Sequence, residues 1–351
     1  MIIVNSTIMT NTDTEANKIG TMYYDTLNLD DSRTEYDSNN GQKDSSSRHS
    51  DNSSEIQKVA VIMFDRGYKT QFTNARPILD KYDFKGSFFV ICSFIDGKGY
   101  YELTNGTEKF TIAEVPMNWN EIRQLQKEGH DIESHGMEHR YLGNLSGPDL
   151  EHEIAGSKEC LKKQGLNPVF FQFPSNKGEE NSTILKTVSK YFDFGLSGHS
   201  ELMFLYCDGW MNYGFNKKSY KDQYDCRPYF EDGMPTRTNQ YSIKEWSHDR
   251  YHDKLNDIFT NLAPHGNNIS NMMFDEFVRL LGTQVQYNEK AGRIVSIPIV
   301  GYHEIGNYTN TYDTSIGLFD REMKYLYENG FKILTLTDLG YDEKDNHFYI
   351  K

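Results

Sequence analysis

From Lys58 onward, short apolar runs alternate with longer amphipathic segments, and that order restricts the fold more than any other feature of this 351-residue chain. KVAVIMFD (58–65) is rich in β-branched residues and bounded by polar ones, the pattern of a strand buried on both faces. TNARPILDKY follows as a helical stretch, then GSFFVIC as a second strand. NWNEIRQLQKEGH is amphipathic at the helical period and closes at Gly129, a residue suited to the left-handed turn that ends a helix. DIESH, VFFQFP, FGLSG, RIVSIPIVGYH and FKILTL read as further strands. Between them lie SGPDLEHEIAGSKECLKKQG, with a Ser146–Asp149 helix-start pattern, NSTILKTVSKYF and LFDREMKYLYENG. Strand–helix repetition calls for parallel strands joined by crossover helices. Residues 56–345 are therefore expected to form an α/β domain, a distorted (β/α) barrel of seven to eight parallel strands. In such barrels chemistry gathers where strands end, and Asp65, His135, Pro174 and His303 each end a run.

Two segments depart from the rhythm. Residues 1–55 are Ser-, Asn-, Asp- and Thr-rich without hydrophobic period and read as a disordered low-complexity tail. Residues about 205–290 are polar and aromatic, with MMFDEFVRLLGTQVQ as one helix inside, and read as an insertion over the rim. A His248/His252 pair in this segment is expected on a solvated face.

With 51 acidic against 37 basic residues the net charge is −14, which argues against a nucleic-acid or anionic-membrane partner. No run approaches the 18 apolar residues of a membrane span. MIIVNSTIMTNTDTE lacks the basic start and apolar stretch of a secretory signal. None of Cys92, Cys160, Cys207 and Cys226 forms a C-x-x-C pair, so no zinc knuckle is expected. Cys92 reads as a small buried hydrophobe, and a Cys207–Cys226 bridge is left open. Trp119 reads as packing its helix on the barrel, Asp131 as capping or pairing, and His199 as a hydrogen-bonded loop residue.

HDIESHGMEH (130–139) places His135 at a strand end and His139 four residues on. Two imidazoles so placed can face one ion of the type Zn²⁺, Co²⁺ or Ni²⁺. A catalytic site of that kind needs a third protein ligand, and FDRG (64–67) offers a carboxylate at another strand end.

FDRG, HGMEH and the intervening GYKTQFTNARPILDKYDFKGSFFV resemble the NodB-homology polysaccharide deacetylases, carbohydrate esterase family 4, with fainter matches at FPSN (173–176), CDGW (207–210) and IVGYH (299–303). The resemblance runs from Lys58 to Leu339. It implies a metal-dependent hydrolase of carbon–nitrogen bonds other than peptide bonds, removing N- or O-acetyl groups from an acetylated polysaccharide or oligosaccharide. That substrate class implies an extracellular or cell-surface setting. It places Asp65 as catalytic base, His135 and His139 as metal ligands, and His303 as the acid that protonates the leaving group. The Ser175 N–H falls at an oxyanion donor, and Asp208 and Trp210 where the site is lined and His303 oriented. Two positions break the pattern. Arg66 stands where the family has its metal-binding Asp, and Gln172 where it has an Arg. Three readings stay open. Asp65 ligates the metal while Glu133 or a rim carboxylate acts as base; the two-histidine site binds metal weakly; or the site is inactive and binds glycan, with Arg66 paired to Asp65. Hydrolysis of small cyclic amides is a further alternative.

Overall fold

The barrel closes on its first strand, β1 (Val59–Phe64), whose six residues are all buried. In this computed structural model the described residues are 58–95, 100–105, 108–113, 115–200, 202–206, 239–249, 266–306 and 312–351. The chain divides after Ser53, and all of them belong to the unit Ser54–Lys351. The expected tail thus lies outside the described residues.

Six strands follow β1 around the ring: β2 (Ser87–Val90), β3 (Asp131–Ser134), β4 (Phe170–Gln172), β5 (Phe194–His199), β6 (Ile243–Ser247) and β7 (Ile299–Tyr302). Each pairs in parallel with the next, and β7 returns to β1 in the register Val61↔Ile299 through Phe64↔Tyr302. An eighth parallel strand, β8 (Lys332–Leu334), pairs with β1 outside the ring. The expectation of seven to eight parallel strands is met by seven closed and one outside.

Because successive side chains of a strand point to opposite faces, each strand feeds two cores. Val59, Val61 and Met63 pack with Phe89, Phe170, Leu196, Ile243 and Ile299. Ala60, Ile62 and Phe64 pack with Val300 and Tyr302 against the apolar faces of helices, through Leu79, Ile122, Leu125, Phe277, Phe319 and Met323. Trp119 packs against this second core, as its sequence context suggests. Helix α1 (Trp119–Lys127) starts at Asn118, whose side chain accepts from the N–H groups of Asn120 and Glu121 in a full capping box. It ends before Gly129, at φ +91°. The Ser146 side chain makes no cap bond, and the long stretch it precedes runs through a π-helical turn at His152–Gly156.

Two readings are corrected. Residues 205–290 are not wholly an insertion, since IKEWS within them is barrel strand β6. Its Lys244 and Glu245 broke the apolar pattern that marks the other strands. The helix of that segment is present as α2 (Gly266–Ala291). Cys92 is not a lone hydrophobe: it is buried and bridged to Cys160, tying the end of β2 to the helix Ser157–Lys163, with Cα atoms 6.4 Å apart. Cys207 and Cys226 lie outside the described residues.

Candidate active site

The ends of β1, β3, β4, β6 and β7 carry the polar residues of the barrel mouth. Asp65 follows β1 and is 4% exposed. Its Oδ2 accepts from Gln172 Nε2 at 2.9 Å and lies 3.5 Å from His303 Nε2. Burial raises its pKa, against the lowering effect of His303 and the Gln172 hydrogen bond. Gln71 holds the two strand ends together, donating from Nε2 to the backbone oxygens of Asp65 (2.6 Å) and His303 (2.8 Å).

His303 is oriented by Asp249, two residues past the end of β6. The His303 backbone N–H donates to Asp249 Oδ2 at 2.6 Å, and Nδ1 lies 3.1 Å from both carboxylate oxygens. With Nδ1–H on the carboxylate, Nε2 faces Asp65. Burial alone would lower the His303 pKa, but the Asp249 carboxylate outweighs it and the net direction is up. Burial likewise opposes ionisation of Asp249, and His303 overcomes it so that the carboxyl is held below its usual range.

Asp249 was not anticipated. The sequence pointed to Asp208 and Trp210 for this role, and both lie outside the described residues. An acid closing the strand that precedes IVGYH was the available signal, hidden because IKEWS did not read as a strand. His248 is also corrected: it is 1% exposed, its Nε2 2.7 Å from Glu322 Oε1, with its ring against Trp246, Phe277 and Tyr302. His252 lies outside the described residues. Glu322, on helix α3 (Ile316–Glu328), also accepts from Tyr302 Oη at 2.8 Å. It therefore sits against both residues that directly precede Asp249 and His303, bonding the second. Glu322→Ala leaves the buried Tyr302 hydroxyl without its acceptor, so urea denaturation should show a loss of about 2 kcal/mol.

His135 and His139 have ring centroids 4.6 Å apart. His135 Nδ1 donates to the Gln172 carbonyl at 3.2 Å, which leaves its Nε2 as a lone-pair acceptor. Burial, with Arg66 adding to it, holds His135 at about 3, and burial with the neighbouring His135 holds His139 well below the usual range. Buried Glu153 sets the loop between them, accepting from the N–H groups of Glu138 and Arg140. Gly136, at φ +87°, leaves room for that carboxylate; a Cβ there would lie 2.3 Å from Glu153 Oε1.

Arg66 is in left-handed backbone at φ +72°, with Nη1 donating to the buried Tyr68 hydroxyl at 2.9 Å and Cζ 6.0 Å from the Tyr312 ring centroid. Glu133 does not join the site. Its Oε2 accepts from the N–H groups of Val169 and Phe170 at the entry of β4, so it is no candidate base. Asp131 pairs as expected, with Ser87 and Thr337. Ser175 is exposed in the turn after β4, at φ +61°, beside Asn176 at +52°. Asn176 Nδ2 donates to Glu245 at 3.0 Å and lies 3.2 Å from His199 Nε2; His199, expected in a loop, instead ends strand β5. Arg66, His139, Ser175 and Asn176 are four of the six non-glycine residues with positive φ among the described residues. Such backbone is sparsely populated and gathers at functional sites.

Among the described residues, two groups bring three potential metal-binding atoms within 4.8 Å of one another: Asp80, Glu128 and His130, and Asp342, Asp345 and His347. Neither contains Asp65, His135 or His139. In the first, Arg76 already holds the Glu128 carboxylate at 2.6 and 2.7 Å, and His130 Nδ1 accepts from Gly86 N–H. The mouth brings the two imidazoles together, and among the described residues no carboxylate completes a three-donor group with them. This donor set does not fit a three-ligand divalent cation.

Residues 52–191 match the family model described as polysaccharide deacetylase. The chain is 27% identical over 135 residues to a peptidoglycan-N-acetylglucosamine deacetylase of Bacillus cereus, covering 38% of this chain and 53% of that protein. It is 29% identical over 105 residues to a putative polysaccharide deacetylase of Bacillus subtilis, covering 30% and 32%. The chain thus spans about half, and about a third, of the length of these two relatives. Similar solved structures include the peptidoglycan deacetylase PdaC from Bacillus subtilis, with TM-score 0.41, 15% identity and coverage of 80% of this chain and 89% of that one. Another is a mutant CE4-family pseudoenzyme with restored enzymatic activity, with TM-score 0.44, 12% identity and coverage of 80% and 66%.

Proposed function

We propose that this chain, which belongs to the polysaccharide deacetylase family through residues 52–191, hydrolyses acetyl groups from a glycan using Asp65 as base and His303 as acid. The observation that carries the reading is the acid–base pair itself. His303 is held by Asp249 and presents Nε2 3.5 Å from the buried Asp65 carboxylate. In this reading Asp65 takes the proton of the attacking water, and the tetrahedral oxyanion faces the Ser175 N–H. His303 gives its Nε2 proton to the departing nitrogen or oxygen.

The family is generally metal-dependent, and the sequence leads one to expect zinc, cobalt or nickel at His135 and His139. With two donors only, no step here is routed through a metal. The substrate class implies an extracellular or cell-surface setting, and the Cys92–Cys160 bridge is of a kind kept in oxidising compartments. Among the described residues no helix is long and apolar enough to cross a membrane.

Acetate release from N-acetylated chitooligosaccharides and O-acetylated xylooligosaccharides tests the proposal. Release from either set supports it, and release from neither overturns it. A second reading is a glycan-binding barrel without turnover, favoured by Arg66 standing where the resemblance places a metal-binding Asp. Oligosaccharide binding by calorimetry with no acetate formed would select that reading. The rim that would separate polymer from small cyclic amides falls largely outside the described residues.

A pH profile follows from Gln172. Its amide lowers the Asp65 pKa, which burial raises. Gln172→Met removes the lowering contribution, so the Asp65 pKa climbs further. A base acts when deprotonated, so the acidic limb of kcat/KM should move to higher pH. An unmoved limb would separate Asp65 from the base role.

A further inference from the structure

Resting on the deacetylase reading of this site, we propose that the Arg66 guanidinium takes the place of the divalent cation. It supplies the fixed positive charge that faces the oxyanion, so hydrolysis by this chain proceeds without a metal. Three observations converge on it. First, Arg66 directly follows Asp65, where the resemblance places a metal-binding carboxylate. A guanidinium keeps its proton in a protein and has no lone pair to offer a cation.

Second, the guanidinium is fixed inside the mouth. Nη1 bonds the hydroxyl of Tyr68, which is 2% exposed, and Cζ lies over the Tyr312 ring. That ring is 4.9 Å from the ring of His303, so arginine and catalytic acid lean on one wall. Third, the rings of His135 and His139 lie 4.6 Å apart, and among the described residues no carboxylate completes a three-donor group with them.

The steps balance without further reagents. Water oxygen bonds to the acetyl carbonyl carbon, and the water proton passes to Asp65. The carbonyl π pair moves onto oxygen, which faces Arg66 and the Ser175 N–H. The pair re-forms the carbonyl as the carbon–nitrogen or carbon–oxygen bond to the sugar breaks. His303 Nε2 gives its proton to the departing atom, and Asp65 then loses its proton to solvent as His303 regains one.

Zinc stoichiometry and chelator-insensitive turnover, measured on the full chain, test the proposal together. After incubation with zinc chloride and dialysis, elemental analysis should find less than about 0.1 equivalent of zinc in the wild type. Arg66→Asp, checked for native circular dichroism, should hold close to one equivalent; if it misfolds, Arg66→Asn is used and should gain zinc relative to the wild type. Acetate release by the wild type should be unchanged in EDTA. Arg66→Gln should lower kcat by about 100-fold in EDTA with KM little altered, the scale of losing one oxyanion donor. One equivalent of zinc in the wild type, lost in His135→Ala, would overturn the inference, as would abolition of turnover by EDTA. Absence of acetate under every condition would instead overturn the deacetylase reading and, with it, a catalytic role for Arg66.

Discussion

Asp249→Asn should lower kcat/KM for acetate release by about 10³- to 10⁴-fold, the scale seen when the carboxylate behind a catalytic histidine becomes an amide. Two losses combine. The amide can present its NH₂ to Nδ1 and stabilise the wrong tautomer, and it removes the charge that holds the His303 pKa up. The sign of the pH effect follows. The folded pKa of His303 is raised, so the imidazolium persists to higher pH than in an isolated histidine. A general acid works protonated, and activity falls as pH rises through that pKa. Without Asp249 the pKa drops, and the alkaline limb of the profile should move to lower pH. The same raised pKa makes the charged His303 a stabilising group at low pH, a contribution lost as pH rises through its folded value. A residue that merely packed the strand end would reduce stability and leave the limb in place.

Cys92→Ser should cost about 4 kcal/mol of stability and lower the melting temperature by roughly 10 °C. The bridge spans a sequence separation of 68 residues and joins the strand end beside the mouth to the helix behind β3. Closing a loop of that length removes on the order of 4 kcal/mol of conformational freedom from the unfolded chain. Thermal unfolding with and without dithiothreitol checks this. The wild type under reductant should approach the variant. Equal melting temperatures in all four samples would remove the bridge from the stability of this fold.

The barrel was legible because its strands are buried on both faces and so spell continuous apolar runs. VAVIMF and SFFV need no partner to be recognised. Ile243–Ser247 escaped for the opposite reason: it contributes Glu245 and Ser247, polar residues needed near a polar mouth, and five residues cannot outvote them. Everything attached to that strand was then misread. Asp249 went unseen, and His248 was assigned to solvent although it is buried against Glu322; Asp208, expected from CDGW to orient His303, lies outside the described residues. Asp65, His135, His139 and His303 were legible because strand ends and short spacings mark them locally. The disulfide was not, since a separation of 68 residues leaves no local pattern. Gln172 was readable as a departure from the family, but its hydrogen bond to Asp65 required coordinates.

The central claim is that Asp65 and His303 act as one proton-transfer pair on an acetylated glycan. The most direct measurement is the rate of acetate release by the wild type and by Asp65→Asn. Asn keeps the shape of the side chain and removes its ability to take a proton. The account predicts measurable release by the wild type and a loss of about 10³-fold or more in a variant with native circular dichroism. Equal rates in the two proteins would contradict it.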